Sequence, residues 1–509
     1  MNPSFSPLYG NREARQERLR LWAALVLILL VAVLEMTIGT SLEQENLRKA
    51  RTLTAGEVPI GPILKDYAGH PLLPAKPPGV KRILYLSNSH AATGGYVARH
   101  LDKMLTAIAP GRFEVFDFSS PGIFGPSILQ RGLLAMDLEI DLVVLQVAYI
   151  SFSDRIKLAR QDHLSDHFFR RGILERLPAG FWWRNYDIGL FTNHLVDRFL
   201  NLTRFRVELR ELWAKPLLAS LSAFAGSARI RIIEVDAERQ MTMPAGFDPT
   251  FFDWSLYSLG RAGHMADVRA LLDALHRAGI PVIAANLPID FSKKYTKAVL
   301  DSGDFARFRR EMRDTLAAAL RYTDYQECFP SHFTTYDPLH PTWFGARLHA
   351  AHLLLQMAES GWWNQPPDQE SLIHAILAQE EAVTQPYRRA LTGGDKATNK
   401  RLYKRYDPTD PDVAAHLLAT LTDPALSMAK RAAIRQQILL RLDYWGAPPA
   451  PDPASSCPSS FQGGWSRLVQ GEFAKARERL ALFRARLADS PIAVDGANPA
   501  RLDWSMGKP

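Results

Sequence analysis

DLVVLQVA, residues 141–148, is a nearly continuous apolar run of strand length. A strand with one wet face alternates apolar and polar residues. A strand covered on both faces has no reason to, so this run predicts an inner strand of a mainly parallel sheet. The reading extends outward from there. Residues 82–86 (RILYL) and 281–286 (PVIAAN) are further short apolar runs, and 113–118 (FEVFDF) alternates like a strand. Helical patterns fall between them, over residues 96–108 and 128–138. Another is formed by Met265, Val268, Leu271, Leu272 and Leu275, with Gly279 closing it. Strands alternating with helices predict an α/β fold with crossover helices on a mainly parallel sheet. In such sheets the reactive groups collect at the carboxyl ends of the strands.

The chain has 509 residues, 47% of them hydrophobic and 22% charged, which excludes global disorder and low-complexity composition. Two cysteines, Cys328 and Cys457, exclude a disulfide-stapled or cysteine-rich metal fold; a single disulfide and two separate thiols both remain open. The net charge of +8 suits anionic surfaces without indicating nucleic acid.

Residues 21–40, LWAALVLILLVAVLEMTIGT, are long enough as a helix to span roughly 30 Å of hydrocarbon. Glu35 lies near the far end, within reach of the headgroups. Arg12, Arg15, Arg18 and Arg20 precede the run, and mixed charges follow it. The positive-inside rule then predicts a cytoplasmic tail (1–20), a single-pass anchor (21–40) and a periplasmic body. A cleaved signal peptide is the rival, but no clear A-x-A site follows.

A stalk is expected over residues 41–80, its second part rich in Pro and Gly. The α/β domain is expected over 81–360, with a largely helical insertion at about 150–260 that holds a possible strand at 230–235. A mostly helical region should fill 361–509, interrupted by a Pro/Ser-rich linker and ending in an amphipathic helix near 467–487.

Two elements carry candidate chemistry. Ser89, in Ser87-Asn88-Ser89-His90, follows the first strand and precedes a helix, which sets a hydroxyl near backbone N–H groups able to hold an oxyanion. The commoner use of such a serine is as a helix cap, and as a nucleophile it needs a base. Asp337-Pro338-Leu339-His340, followed by Pro341-Thr342-Trp343, supplies one: a carboxylate three residues before an imidazole can hold the tautomer that accepts a proton. A cap beside a surface histidine would read the same way.

Together these blocks resemble the SGNH/GDSL hydrolase superfamily over roughly residues 81–358. The anchor and insertion look most like its membrane-anchored branch that includes the D-alanyl transfer protein of teichoic-acid D-alanylation. The resemblance implies a three-layer α/β sandwich in which Ser89 is the nucleophile, His340 the base and Asp337 its orienting carboxylate. It implies an oxyanion hole built from the Ser89 N–H and Gly122, with Asn88, His90, Tyr149 and Asn286 as weaker substrate-binding candidates. The sequence departs from the family in two places. S-N-S stands for G-D-S, and Ala148-Tyr149-Ile150-Ser151 stands where G-x-N-D is expected. An oxyanion donor is then missing or replaced, a loss worth about 10²–10³ in rate.

Other signals are weaker. His163 and His167 have metal-ligand spacing on a helix, but no third ligand is evident and a solvated face is favoured. Asp290 belongs with Asn286 near the site rim or in a plain turn. Phe181-Trp182-Trp183 fits a buried insertion core better than a membrane-surface or sugar site. The expectation is therefore a membrane-anchored esterase or O-acyltransferase. Its partners would be an envelope glycan or acyl donor, the inner membrane and a multispan membrane acyltransferase, with no nucleic acid, metal or cofactor. The rival is a scaffold subunit of an acyltransferase or polysaccharide export complex.

Overall fold

The structure, a computed structural model, describes residues 8–39, 75–88, 97–119, 125–152, 176–181, 263–289, 303–328, 341–379 and 462–488, with isolated positions between 414 and 435. Its centre is a five-stranded parallel sheet: β1 (Lys81–Leu86), β2 (Phe113–Asp117), β3 (Leu142–Val147), β4 (Val282–Asn286) and β5 (Arg321–Asp324), in the order β2-β1-β3-β4-β5. Every residue of β3 and β4 is buried, as an apolar run without alternation requires. The strands read at 82–86, 113–118, 141–148 and 281–286 are each present within a residue or two. The fifth, RYTD, was not expected. It is short, polar and exposed at its start, and it joins the sheet by pairing with β4 from Ile283↔Arg321 to Asn286↔Asp324.

The chain helices are α1 (Leu8–Leu34), α2 (Val97–Ile108), α3 (Gly125–Leu133), α4 (Gly263–Arg277), α5 (Asp304–Leu316), α6 (Trp343–Glu359) and α7 (Gln462–Ala488). The register Tyr85↔Val144, with Gln146↔Ala285 and Ala285↔Thr323, sets Tyr85, Gln146 and Thr323 on one sheet face. That face meets α6: the Gln356 amide donates to Thr323 Oγ1. The other face meets α5, where Asp324 pairs with Arg309. Helix α2 packs on α6, and α3 packs on α4.

α6 has a defined direction relative to the strands. Just beyond its last turn, Trp362 and Trp363 pack on Phe113, the first residue of β2, and Lys81, the first residue of β1, donates to the Trp362 carbonyl at 2.6 Å. Nearer its start, His349 and His352 meet Tyr325, the residue following β5. The helix therefore runs antiparallel to the strands and begins at their carboxyl ends. Thr342 caps it, its Oγ1 accepting from Gly345 N at 2.9 Å.

α1 is long and apolar enough to cross a bilayer between Gln16 and Thr37, and Leu21, Leu25, Ile28 and Leu29 are exposed on it. The helix begins earlier than the apolar run because the Arg, Glu, Gln and Leu of the preceding tail are themselves good helix formers. Glu35–Gly39 closes it as a π-helical turn. Most of the stalk, the insertion with residues 230–235, His163, His167, Trp182, Trp183 and the Pro/Ser-rich linker lie outside the described residues.

The terminal helix is longer than its amphipathic stretch suggests and docks on α6 through a buried ion pair. Arg347 and Glu472 are 3% and 0% exposed; Nε donates to Glu472 Oε2 at 3.0 Å, and Nη2 donates to Glu472 Oε1 at 3.2 Å and to the Ile376 carbonyl at 2.7 Å. Removing one member leaves an uncompensated buried charge. Glu472→Ala should therefore cost about 3–5 kcal/mol in a denaturant titration of the detergent-solubilised protein, and Arg347→Met/Glu472→Leu should recover most of it. A single-mutant loss below about 1 kcal/mol would show the pair to be hydrated.

Candidate functional site

The strand order places a site before any side chain is considered. β1 lies between β2 and β3, so the loops leaving the carboxyl ends of β1 and β3 diverge and open a crevice between them. Ser87 and Asn88 leave β1 at this edge, Ala148–Phe152 leave β3, Leu287 and Ile289 leave β4, and Tyr325 leaves β5. A hydrogen bond crosses the crevice: Asn88 Nδ2 donates to Ser151 Oγ at 2.7 Å, both residues buried. The first block is thereby tied to the segment that stands where G-x-N-D was sought.

Asn88 is thus fixed from its side-chain end, and Ser89 is the next residue in the chain. Ser89, His90, Gly122, Asp337 and His340 themselves lie outside the described residues, as does Asp290. Their flanks are described. Ser119 ends the described part of the β2 loop three residues before Gly122, its N–H donating to Asp117 Oδ1 at 2.9 Å. Pro341 and Thr342, directly after His340, are buried at the start of α6.

The two helices that follow the candidate blocks begin side by side. His100, in the first turn of α2, meets the ring of Trp343, the first residue of α6, edge-on with centroids 4.8 Å apart. In sequence α2 is the helix after the Ser89 block and α6 the helix after Asp337–His340, and the described starts of these two helices meet at the carboxyl edge.

Tyr149 and Asn286, expected as substrate contacts, are 2% and 0% exposed. The Tyr149 ring packs on Phe305 and Phe308 of α5, at 5.8 and 5.3 Å. Asn286 Oδ1 accepts from Tyr325 N at 3.1 Å, while its Nδ2 is buried with no hydrogen-bond partner among the described residues. Both side chains are engaged in packing and hydrogen bonding in the interior.

Sequence reasoning missed a polar layer under this edge. The Tyr85 hydroxyl donates to Gln146 Oε1, and the Tyr325 hydroxyl lies 3.3 Å from His352 Nδ1 with the His349 ring alongside. The signal was available as H-x-x-H in an otherwise apolar helix, LHAAHLLL. Burial shapes the chemistry of the layer. It lowers His349 and His352 to about 3, the two also disfavouring each other's charge at His349, and it raises the Tyr85 and Tyr325 hydroxyls and the Asp117 carboxyl above their ordinary ranges. His100 is lowered well below 6.5, first by burial and then by Arg347, Lys103, Arg99 and Arg479. These histidines stay neutral at pH 7 and serve as framework. Among the described residues no group of three His, Cys, Asp or Glu could hold a metal ion.

A pH dependence follows. The folded pKa of each buried histidine lies below its unfolded value of about 6.5, so below that pH the unfolded chain binds protons that the folded chain refuses. The stability is present above about pH 6.5 and is lost as pH falls towards 3, by about 1.4 kcal/mol per pH unit per histidine. Asp117, raised by burial, works in the opposite sense, but only once pH nears the carboxylate range. Denaturant midpoints between pH 7 and 5 should fall steeply, and His352→Gln should flatten the slope. A midpoint independent of pH over that range would mean that the histidines are hydrated.

No family model, curated protein or solved structure matches the chain, so the chemistry of this edge rests on its own residues.

Proposed function

We propose that the chain is a membrane-anchored serine esterase or O-acyltransferase of SGNH type, acting outside the cytoplasmic membrane on acyl esters of an envelope polysaccharide. The observation that carries the reading is the contact of His100 with Trp343 at the carboxyl end of the sheet. It brings together the starts of the two helices that follow Ser89 and His340. The strand order supports the same reading, because its crevice opens where the first block leaves β1.

In this mechanism Ser89 Oγ attacks the acyl carbonyl while His340 takes the hydroxyl proton, and Asp337 holds the imidazole and steadies its charge. The Ser89 N–H and the Gly122 N–H hold the oxyanion. His340 returns the proton to the leaving alcohol, and water or a glycan hydroxyl then releases the acyl group from Ser89. Asn88 and His90 border the nucleophile. No cofactor takes part.

A second reading, a scaffold subunit for a multispan membrane acyltransferase or polysaccharide exporter, draws on one observation. The segment after β3 offers no asparagine, and its Tyr149 serves in packing.

A phosphonylating probe of nucleophilic serines separates the two. Labelling that vanishes in Ser89→Ala supports the enzyme; no labelling of the wild-type protein, with glycan modification still lost on deletion in cells, supports the scaffold. In ester turnover, His340→Ala should cost nearly as much as Ser89→Ala, and the double mutant should be little worse than either. Asp337→Asn should lose about 10²–10⁴ in rate with folding intact. Near-wild-type turnover in His340→Ala would end the triad assignment.

The placement of the body outside the membrane rests on the arginines that precede the apolar run of α1. A reporter fused after Pro509 should be active only outside the cytoplasm, on a protein that keeps residues 1–40. Recovery of a soluble form starting near Ser41 would instead identify a cleaved signal peptide.

A further inference from the structure

Trp343 is gripped from two elements besides its own. The His100 ring of α2 meets it at 86° between ring planes, and the Arg479 guanidinium of α7 stands 4.9 Å over its ring centroid. Arg479 is 0% exposed. Two further contacts fix the register of α7 on this turn: Phe473 against Phe344, with centroids 5.0 Å apart, and Glu472 on Arg347. An apolar seam would dock two helices without a buried cation. A guanidinium over an indole adds a preferred distance and direction. The link from Trp343 back to His340 is two residues long and stiff: Pro341 has a fixed φ, and Thr342 is locked by its cap bond to Gly345. Trp343 stands three residues after His340 in the sequence.

Resting on the hydrolase reading, we propose that Arg479 is a positioning residue for the site: by clamping Trp343 against His100, the C-terminal helix sets where the histidine-bearing segment enters α6. α7 then supplies geometry to the reaction and touches no substrate.

The test uses the full-length protein in detergent, with a small acetyl ester as substrate. Arg479→Met removes the cation and keeps the length, and Arg479→Lys returns the cation. Arg479→Met should lower kcat about ten- to hundredfold with KM little changed, as a misplaced catalytic group does. It should also move the acidic limb of the pH–rate profile, which reports the base, and speed hydrogen exchange over residues 341–346. Arg479→Lys should restore most of each. Should Arg479→Met fold poorly, Trp343→Phe, which keeps a weaker ring face, carries the same test from the other partner, with a smaller loss in the same direction. The clamp is overturned by a wild-type kcat and pH profile in these variants. It is equally overturned by a kcat loss that only tracks the melting temperature and is not rescued by lysine. Absence of any Ser89-dependent turnover in the wild-type protein would sink the hydrolase reading, and the positioning role with it. Wild-type turnover insensitive to Arg479 would sink the positioning role alone.

Discussion

A parallel strand cannot turn straight back into its neighbour; the chain must cross over, and each crossover returns it to the same end of the sheet. Five strands in the order β2-β1-β3-β4-β5 therefore send all their outgoing loops to one edge, and the reversal at β1 parts two of those loops. The arrangement demands strands buried on both faces, which is why β3 and β4 have no exposed residue. It also fixes the direction of α6, whose last turn is held at the amino ends by Trp362 and whose first turn must then lie at the carboxyl edge. The Asn88–Ser151 bond spans the gap that this topology creates.

The fold was legible where burial dictated composition. LVVLQV, VIAAN and RILYL have little alternative to inner strands, and the helices between them show apolar stripes. β5 was not legible because its stability is not local: Thr323 is buried by Gln356 of α6, and Asp324 by Arg309 of α5. Neither partner can be guessed from RYTD. Helix α5 did carry a signal, Phe305, Phe308, Met312 and Leu316 at helical spacing, but a dense set of arginines and acids on its wet side masks the stripe. The long apolar helix α1 was legible from length and apolarity alone, and only its start was displaced.

The site was legible in part for a related reason. Sequence spacing identifies residue types that suit acyl transfer, and topology brings the flanks of Ser89 and His340 to one corner. The supports of that corner come from far along the chain. His100, Trp343 and Arg479 share no motif, and Tyr85, Gln146, Tyr325 and His352 become a layer only when four elements meet. Tyr149 and Asn286 were candidates for substrate contact because they stand at the carboxyl ends of strands. Their burial is decided by α5 and by Tyr325, which no local pattern announces.

The polar groups beneath the edge are unfavourable as packing. A layer of Leu and Phe would avoid two buried imidazoles, the half-buried carboxyl of Asp117 and the Nδ2 of Asn286, which has no partner among the described residues, and each of these carries a desolvation cost. The Arg347–Glu472 pair has the same character, since an apolar pair of similar volume would hold α7 as well. What such groups contribute is direction. A hydrogen bond or a bidentate pair fails when displaced by an ångström, whereas an apolar contact slides. Direction has value where a few atoms must keep a fixed arrangement, and among the described residues such contacts stand around the start of α6 and the carboxyl ends of β1, β3 and β5. The reason to seek chemistry there is topological, since every outgoing loop of a parallel sheet leaves at the carboxyl ends and not at the amino-terminal end. There, Lys81, Arg82, Asp141 and Trp362 form an oriented set that ties the starts of strands to the end of α6 and to a neighbouring loop.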